Sequence, residues 1–410
     1  MRWVGVAAAL VLAASAGASQ DVPTPLGILR RAVEAPLRVD YEGTKVLTAV
    51  RQDGGETVRV AIWHRPPHAY RMEFLSPRRL AGRVLLDDGS TTWHYEPSLH
   101  LAIRGPSLAR SEASQVEPVP ENYVARLLGT DQVAGRAAYL LALLPKAEGV
   151  TRRFWVDRAT GLVLKSEEAD AERGVYFTST FTRITFGPLP QEIFRFHRPA
   201  GVRVVEMTGE PRPFVRLSEL SRAVGFPTMA AAELPAGFRY RGGGVSRFGG
   251  LVAAVLWYSD GATTVSLFQL PSSRMANPPG GETLRVGNTL VRVHTAGYLR
   301  VAVWERGGVR FAAVGSVPLA VLRGFVANSD PDPSTEARRV EEVAREIGVT
   351  PDRVADLRDR GLSFAQVREA LGASRATTQA APRQNPVPSL LDVVERFQDQ
   401  LQRLRSPGLR

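Results

Sequence analysis

The sequence predicts an α+β protein that is mostly β: two antiparallel β domains followed by a small helical tail. Three observations predict it. Polar and apolar residues alternate, in segments about ten residues apart, through two long stretches. The 37 Gly and 29 Pro punctuate those stretches with turns. Beyond Asp330 the apolar spacing changes from two to three and four, the period of a helix. A chain of 410 residues with 44% hydrophobic and 23% charged composition is neither disordered nor fibrous, and it can bury two or three cores.

Taken in order, Met1-Arg2-Trp3 precedes an apolar run from Val4 to Ala14, then Ser15-Ala16-Gly17-Ala18. A basic start, a run too short to span a bilayer and an Ala-x-Ala site predict a signal peptide over 1–18, with cleavage after Ala16 as the alternative. The mature protein is then expected in the periplasm. Residues 22–36 set Leu26, Ile28, Leu29, Ala32 and Val33 on one face of a short helix that Pro36 ends. Strands are expected at 39–50, 57–64, 69–75, 83–86 and 91–96, and Pro120 to Leu128 reads as a helix. A meander follows at 137–144, 152–157, 162–167 and 175–186, with Glu167, Glu168 and Asp170 read as a solvated turn.

Residues 187–235 are Pro-rich, with a helical turn or two at 217–224. Strands are then expected at 238–240, 251–258, 263–269, 287–295, 299–305 and 309–316, with Gly242-Gly243-Gly244 as a turn and a closing helix at 318–326. Three helices come next: 335–347, one capped by Thr350 with Pro351 in its first turn, and one opened by a Ser363/Gln366 capping box and ending near Gly372. In the last expected helix Leu390, Val394, Phe397, Leu401 and Leu404 step by four, three, four, three. Such a helix can dock on the body, pair with a partner or lie on a membrane surface. The expected organisation is a signal peptide (1–18), a first β domain (22–198), a linker (199–216), a smaller β domain (217–327), a three-helix module (333–373), a linker (374–388) and an amphipathic helix (389–405).

The absence of cysteine excludes disulfides, zinc ribbons, iron–sulfur clusters and thiol nucleophiles. His64 and His68 are four apart, but the two prolines between them forbid the helix that would align their rings. With no nucleophile elbow, zinc-protease or phosphate-loop motif, the chain reads as a non-enzyme with no metal or cofactor. Net charge is +11, carried by 49 Arg and three Lys. Residues 217–327 hold 11 Arg against five acidic residues, so the second domain suits an acidic peptide or a phosphorylated head group, with Arg239, Arg241, Arg247 and Arg292 as candidate contacts. A nucleic-acid partner does not fit a protein outside the cytoplasm. In the first domain Tyr41, Trp63, Tyr70, Phe74, Trp93, Tyr95, Trp155 and Phe177 are either plain core or the lining of a hydrophobic groove suited to an acyl chain.

Three stretches carry a resemblance: Tyr41-Glu42-Gly43-Thr44, the run from Asp88-Gly89 through Trp93 and Tyr95 to Pro97, and Phe154-Trp155-Val156-Asp157 with Gly161-Leu162 after it. They resemble the sigma-E regulatory family RseB/MucB, whose first domain is similar to the lipoprotein carriers LolA and LolB. Val224-Gly225-Phe226-Pro227, Leu234-Pro235 and Trp257-Tyr258-Ser259-Asp260-Gly261 resemble its smaller second domain. The resemblance covers about residues 25–327. It implies a LolA-like half-barrel with a helical plug, and a periplasmic regulator that binds the periplasmic segment of a single-span anti-sigma factor. Lipid or lipopolysaccharide is the implied releasing signal. The alternative is a periplasmic carrier of lipid or lipoprotein. The helices beyond 333 lie outside the family pattern.

Overall fold

The computed structural model describes residues 23–372, apart from 52–53, 108–120, 207–213, 249–250, 273–280, 297–298 and 331. The expected signal peptide and the expected helix at 389–405 lie outside the described residues. The chain opens with α1 (Pro25–Glu34). Thr24 caps it by accepting a hydrogen bond from the Gly27 amide at 3.1 Å, and Pro25 sits in its first turn.

Twelve strands among the described residues form the first sheet. They are β1 (Tyr41–Arg51), β2 (Gly54–Arg65), β3 (Ala69–Ser76), β4 (Val84–Asp87), β5 (Thr91–Glu96), β6 (Leu101–Pro106), β7 (Tyr123–Val133), β8 (Arg136–Pro145), β9 (Thr151–Asp157), β10 (Val163–Asp170), β11 (Gly174–Phe186) and β12 (Arg203–Glu206). Their order is β12-β6-β5-β4-β3-β2-β1-β11-β10-β9-β8-β7. Every pairing is antiparallel except β12 on β6. β12 falls inside the stretch expected as linker, and it covers the edge that β6 would otherwise present.

The sheet curves strongly, for β7 returns to touch β11 although three strands lie between them. One cluster therefore joins Tyr41, Val60, Ile62, Met72, Phe74, Leu85, Leu101 and Ile103 from one half to Ala138, Trp155, Leu164 and Phe181 from the other. Ile28, Leu29 and Ala32 of α1 pack on Tyr123, Leu141, Leu143 and Val156, so the helix plugs the sheet near β7 to β9. From Tyr123 on, the helix expected at 120–128 is instead the start of β7. Tertiary pairing with β8 along ten register positions outweighs the local helical spacing of Tyr123, Leu127 and Leu128.

The second sheet is β13 (Arg239–Phe248), β14 (Leu251–Ser259), β15 (Thr264–Pro271), β16 (Glu282–Val286), β17 (Thr289–Ala296), β18 (Leu299–Arg306) and β19 (Val309–Gly315), in the order β13-β14-β15-β19-β18-β17-β16. On one face lie α2 (Leu217–Val224) and α3 (Leu319–Asn328), through Leu217, Leu220, Val321, Leu322 and Phe325. The triple glycine expected as a turn runs through β13. A Cβ on Gly243 would stand 2.7 Å from Leu220, and one on Gly244 would stand 2.6 Å from the Trp257 ring. Glycine here lets a helix and an indole approach the strand closely.

The tail is α4 (Pro333–Ile347), α5 (Pro351–Asp359) and α6 (Phe364–Gly372). Ser363 and Gln366 form the expected reciprocal cap, at 3.1 and 3.3 Å. Thr350 stands at the N-cap of α5 but makes no side-chain cap. The three helices share a core with Ala232, so they are docked on the second sheet's domain and do not hang free. Arg358 makes that join. Its guanidinium is 4% exposed, pairs with Glu336, donates to the Ala230 and Ala231 carbonyls at 3.1 and 3.0 Å, and lies over the Phe364 ring.

Candidate functional site

The eight candidate aromatics do not share one surface. Tyr41, Phe74 and Trp155 are buried in the main cluster of the first sheet, and Tyr70 packs against it. Tyr41 stacks on His64 at 5.0 Å and meets Phe181 edge-on at 5.8 Å. The Trp155 indole donates to Asp131 Oδ2 at 2.6 Å, with Lys165 Nζ 4.0 Å above its ring. Phe177 sits in a separate small cluster with Val150 and Tyr176. Trp63, Trp93 and Tyr95 are half-buried on the opposite face of the sheet from Met72 and His94, as the register shows. Trp63 donates to Glu42 at 3.0 Å, and Trp93 stacks on Phe196 at 4.6 Å.

Sequence reasoning passed over one group on the inner face. Lys45 of β1 stands opposite Val60 and Phe181, with Nζ 4.4 Å from the Phe181 ring. Burial lowers its pKa to about 8. The cue was available. Lys45 is one of only three lysines, and it falls on the inward alternation of Tyr41, Gly43 and Leu47. A Cβ on Gly43 would meet the Arg183 carbonyl at 2.4 Å and the Phe181 ring at 3.0 Å, so Gly43 is what lets that ring lie flat beside the ammonium.

A second group lies where the two sheets meet. The Tyr123 hydroxyl donates to Asp260 Oδ2 at 2.7 Å, and Asn122 donates to the carbonyls of Gly237 and Asp260 at 3.0 and 3.1 Å. Arg152 donates to Thr263 Oγ1 at 2.9 Å and lies 3.4 Å from Glu168. Glu168 in turn accepts from Tyr176 at 3.1 Å and from Ser316 at 3.0 Å. Arg300 forks onto Glu172 at 2.7 and 2.9 Å. Burial alone would weaken the Arg152 charge. Glu168, Tyr123 and Asp260 more than offset it and hold the pKa above the ordinary arginine value. Burial first, then the charge of Asp260, raises the Tyr123 phenol. The acidic stretch expected as a solvated turn is therefore part of this junction, and Asp170 is buried, holding Arg173 at 2.6 Å. Glu168 and Arg152 face each other across β9 and β10, and their partners in the second domain, Ser316 and Thr263, are 148 and 111 positions away, so no local pattern announces them.

The four candidate arginines do not converge either. Arg239 and Arg241 lie on the edge strand β13, Arg239 being half exposed and 3.9 Å from Glu121. The Arg247 backbone is in β13, and its side chain lies outside the described residues. Arg292 is on β17, about 24 Å away across five strand spacings. A groove of about 720 Å³ runs between α2 and the helical tail, walled by Leu217, Phe226, Met229, Val340 and Ala355 with Arg358 beneath. Among the described residues no cluster of His, Asp and Glu could hold a metal ion, and no helix is long and apolar enough to cross a membrane.

Residues 24–199 match the sequence profile described as the MucB/RseB N-terminal domain. A search of the curated proteins finds no match. Among solved structures, the MucA/MucB complex of Pseudomonas aeruginosa is similar with a TM-score of 0.53 at 21% identity, covering 75% of this chain and 99% of that one. MucB in complex with MucA(peri) is similar with a TM-score of 0.51 at 21% identity, covering 74% of this chain and 98% of that one. The likeness is one of fold, and it extends over more of the chain than the family domain does.

Proposed function

From a chain whose residues 24–199 belong to the MucB/RseB N-terminal domain family, we propose a non-enzymatic regulator that works outside the cytoplasm. It binds the extracytoplasmic segment of a membrane-spanning anti-sigma factor and so restrains an envelope-stress sigma factor. The observation that carries this reading is the likeness, across three quarters of the chain, to MucB as solved with MucA bound. The junction supports it. A regulator that grips a peptide between two domains needs their relative placement fixed by directional bonds, and Arg152 with Thr263, Glu168 with Ser316 and Arg300 with Glu172 supply them.

Lipid as the releasing signal is supported by Lys45, an ammonium set among apolar side chains where the acid head of an amphiphile would neutralise it. The test is capture of detergent-solubilised envelope by the mature chain, with mass spectrometry of what is bound. Recovery of a single-span membrane protein whose cytoplasmic part binds a sigma factor is the expected result. Recovery of many lipoproteins, or of lipid alone, would replace the regulator with a carrier.

A further inference from the structure

The second sheet is apolar on both faces. Its register sets the residues in rows across the strands. On one face Leu256, Leu267, Ala313, Ala302 and Val293 lie side by side, in the cluster closed by α2 and α3. On the other, Val255, Phe268, Ala312 and Val303 form a row that ends in Arg292. Beside it Trp257, Ser266, Val314 and Val301 form a row that ends in His294. The apolar members of these two rows belong to none of the hydrophobic clusters among the described residues. Yet Val255, Trp257 and Val303 are only 6%, 9% and 6% exposed.

A sheet with apolar rows on both faces is the middle of three layers. The helices α2 and α3 supply one outer layer. We propose that the segment 389–405 of this same chain supplies the other, laying Leu390, Val394, Phe397, Leu401 and Leu404 on the face that bears Val255, Trp257, Phe268, Val301 and Val303. Length agrees. Residues 389–404 as a helix run about 24 Å, and the rows from β14 to β17 are about 20 Å wide. Reach agrees, because the described chain ends at Gly372 and residues 373–388 can extend up to about 55 Å. The segment's polar side agrees as well: Asp392, Glu395 and Asp399, with Arg396 and Arg403, fall on the side of the helix away from Leu390, Val394, Phe397, Leu401 and Leu404, so the apolar seam can face the sheet while the charges face water. A tether of this length holds its end at millimolar effective concentration, so a two-heptad seam too weak to bind in solution still docks.

The chain has no cysteine, so engineered pairs report proximity without background. In the full-length protein, Val394→Cys with Ala312→Cys should form a disulfide within one chain on mild oxidation at low concentration. Val394→Cys with Ala355→Cys, in the groove beside α2, should form none. A bond to Ala355→Cys alone would put the segment in that groove. Bonds only between molecules would give the face to a second copy. No bond in either pair would leave the segment off the face, and each of these three results overturns the proposal. Full-length Leu401→Asp provides a second reading: amides of β18 should exchange about tenfold faster while those of α3 stay unchanged. Unchanged exchange in β18 would assign the cover to residues 273–280 and likewise overturn it.

Discussion

At the scale of single residues, three positions on the inner face of the first sheet decide behaviour that no motif declares. His94 lies on the inner face of the first sheet opposite Leu85 and Ile103, and burial lowers its pKa from 6.5 to about 4. The unfolded chain therefore takes up a proton at a higher pH than the folded one, and stability rises with pH between 4 and 6.5. This group contributes about 3 kcal/mol above that window and loses it as pH falls through it. Melting temperature against pH should flatten between 4 and 6.5 in His94→Gln. Lys45 has the same depressed direction at the alkaline end, so Lys45→Met should raise the melting temperature at pH 7. If lipid is the releasing signal as proposed, the same variant should favour anionic over neutral amphiphiles less than the parent in fluorescence competition. Gly43→Ala should destabilise by about 1–3 kcal/mol in urea unfolding, because the backbone carbonyl of Arg183 cannot move aside. Alternation made the inward positions legible. It did not say which aromatics face which way, because Trp93 and His94 are neighbours and only the pairing with Leu86 and Leu85 separates them.

At the scale of elements, the sequence is legible where punctuation and period agree and opaque where a partner decides. The helical tail illustrates the first case: the Ser363/Gln366 cap and Pro351 fix α6 and α5 from local chemistry alone. β7 and β13 illustrate the second. The Pro120–Leu128 run has helical spacing and the triple glycine has turn composition, yet both pair as edge strands because β8 and β14 offer them ladders. What local chemistry could not reveal is that the tail is bolted down. Arg358→Met leaves Glu336 and three carbonyls, those of Ala230, Ala231 and Leu362, without their donor, and it should lower the stability of the α4–α6 unit by about 3–5 kcal/mol. Limited proteolysis should then cut within 329–372 while the second sheet stays intact.

At the scale of the whole molecule, the order of two β domains and a helical tail was visible in the spacing of turns, and their mutual placement was not. The bonds from Tyr123 to Asp260 and from Arg300 to Glu172 join residues more than 100 positions apart, with no repeat or period to mark them. Calorimetry of Arg152→Met should resolve two transitions where the parent shows one, because removing the guanidinium strands Glu168 between the sheets. The partner-binding reading predicts weaker capture of the anti-sigma segment by that variant, with lipid binding unchanged.

The strand order of the first sheet has a consequence for how the chain is born. It consists of two meanders, β1 to β6 and β7 to β11, each pairing neighbours in sequence, stitched together where Tyr41 meets Phe186. During synthesis β1 gains β2 within moments, but its other edge stays bare until residue 186 has emerged, on the order of ten seconds later. For that interval the nascent protein displays an open ladder ready to accept any extended segment, its own or a stranger's.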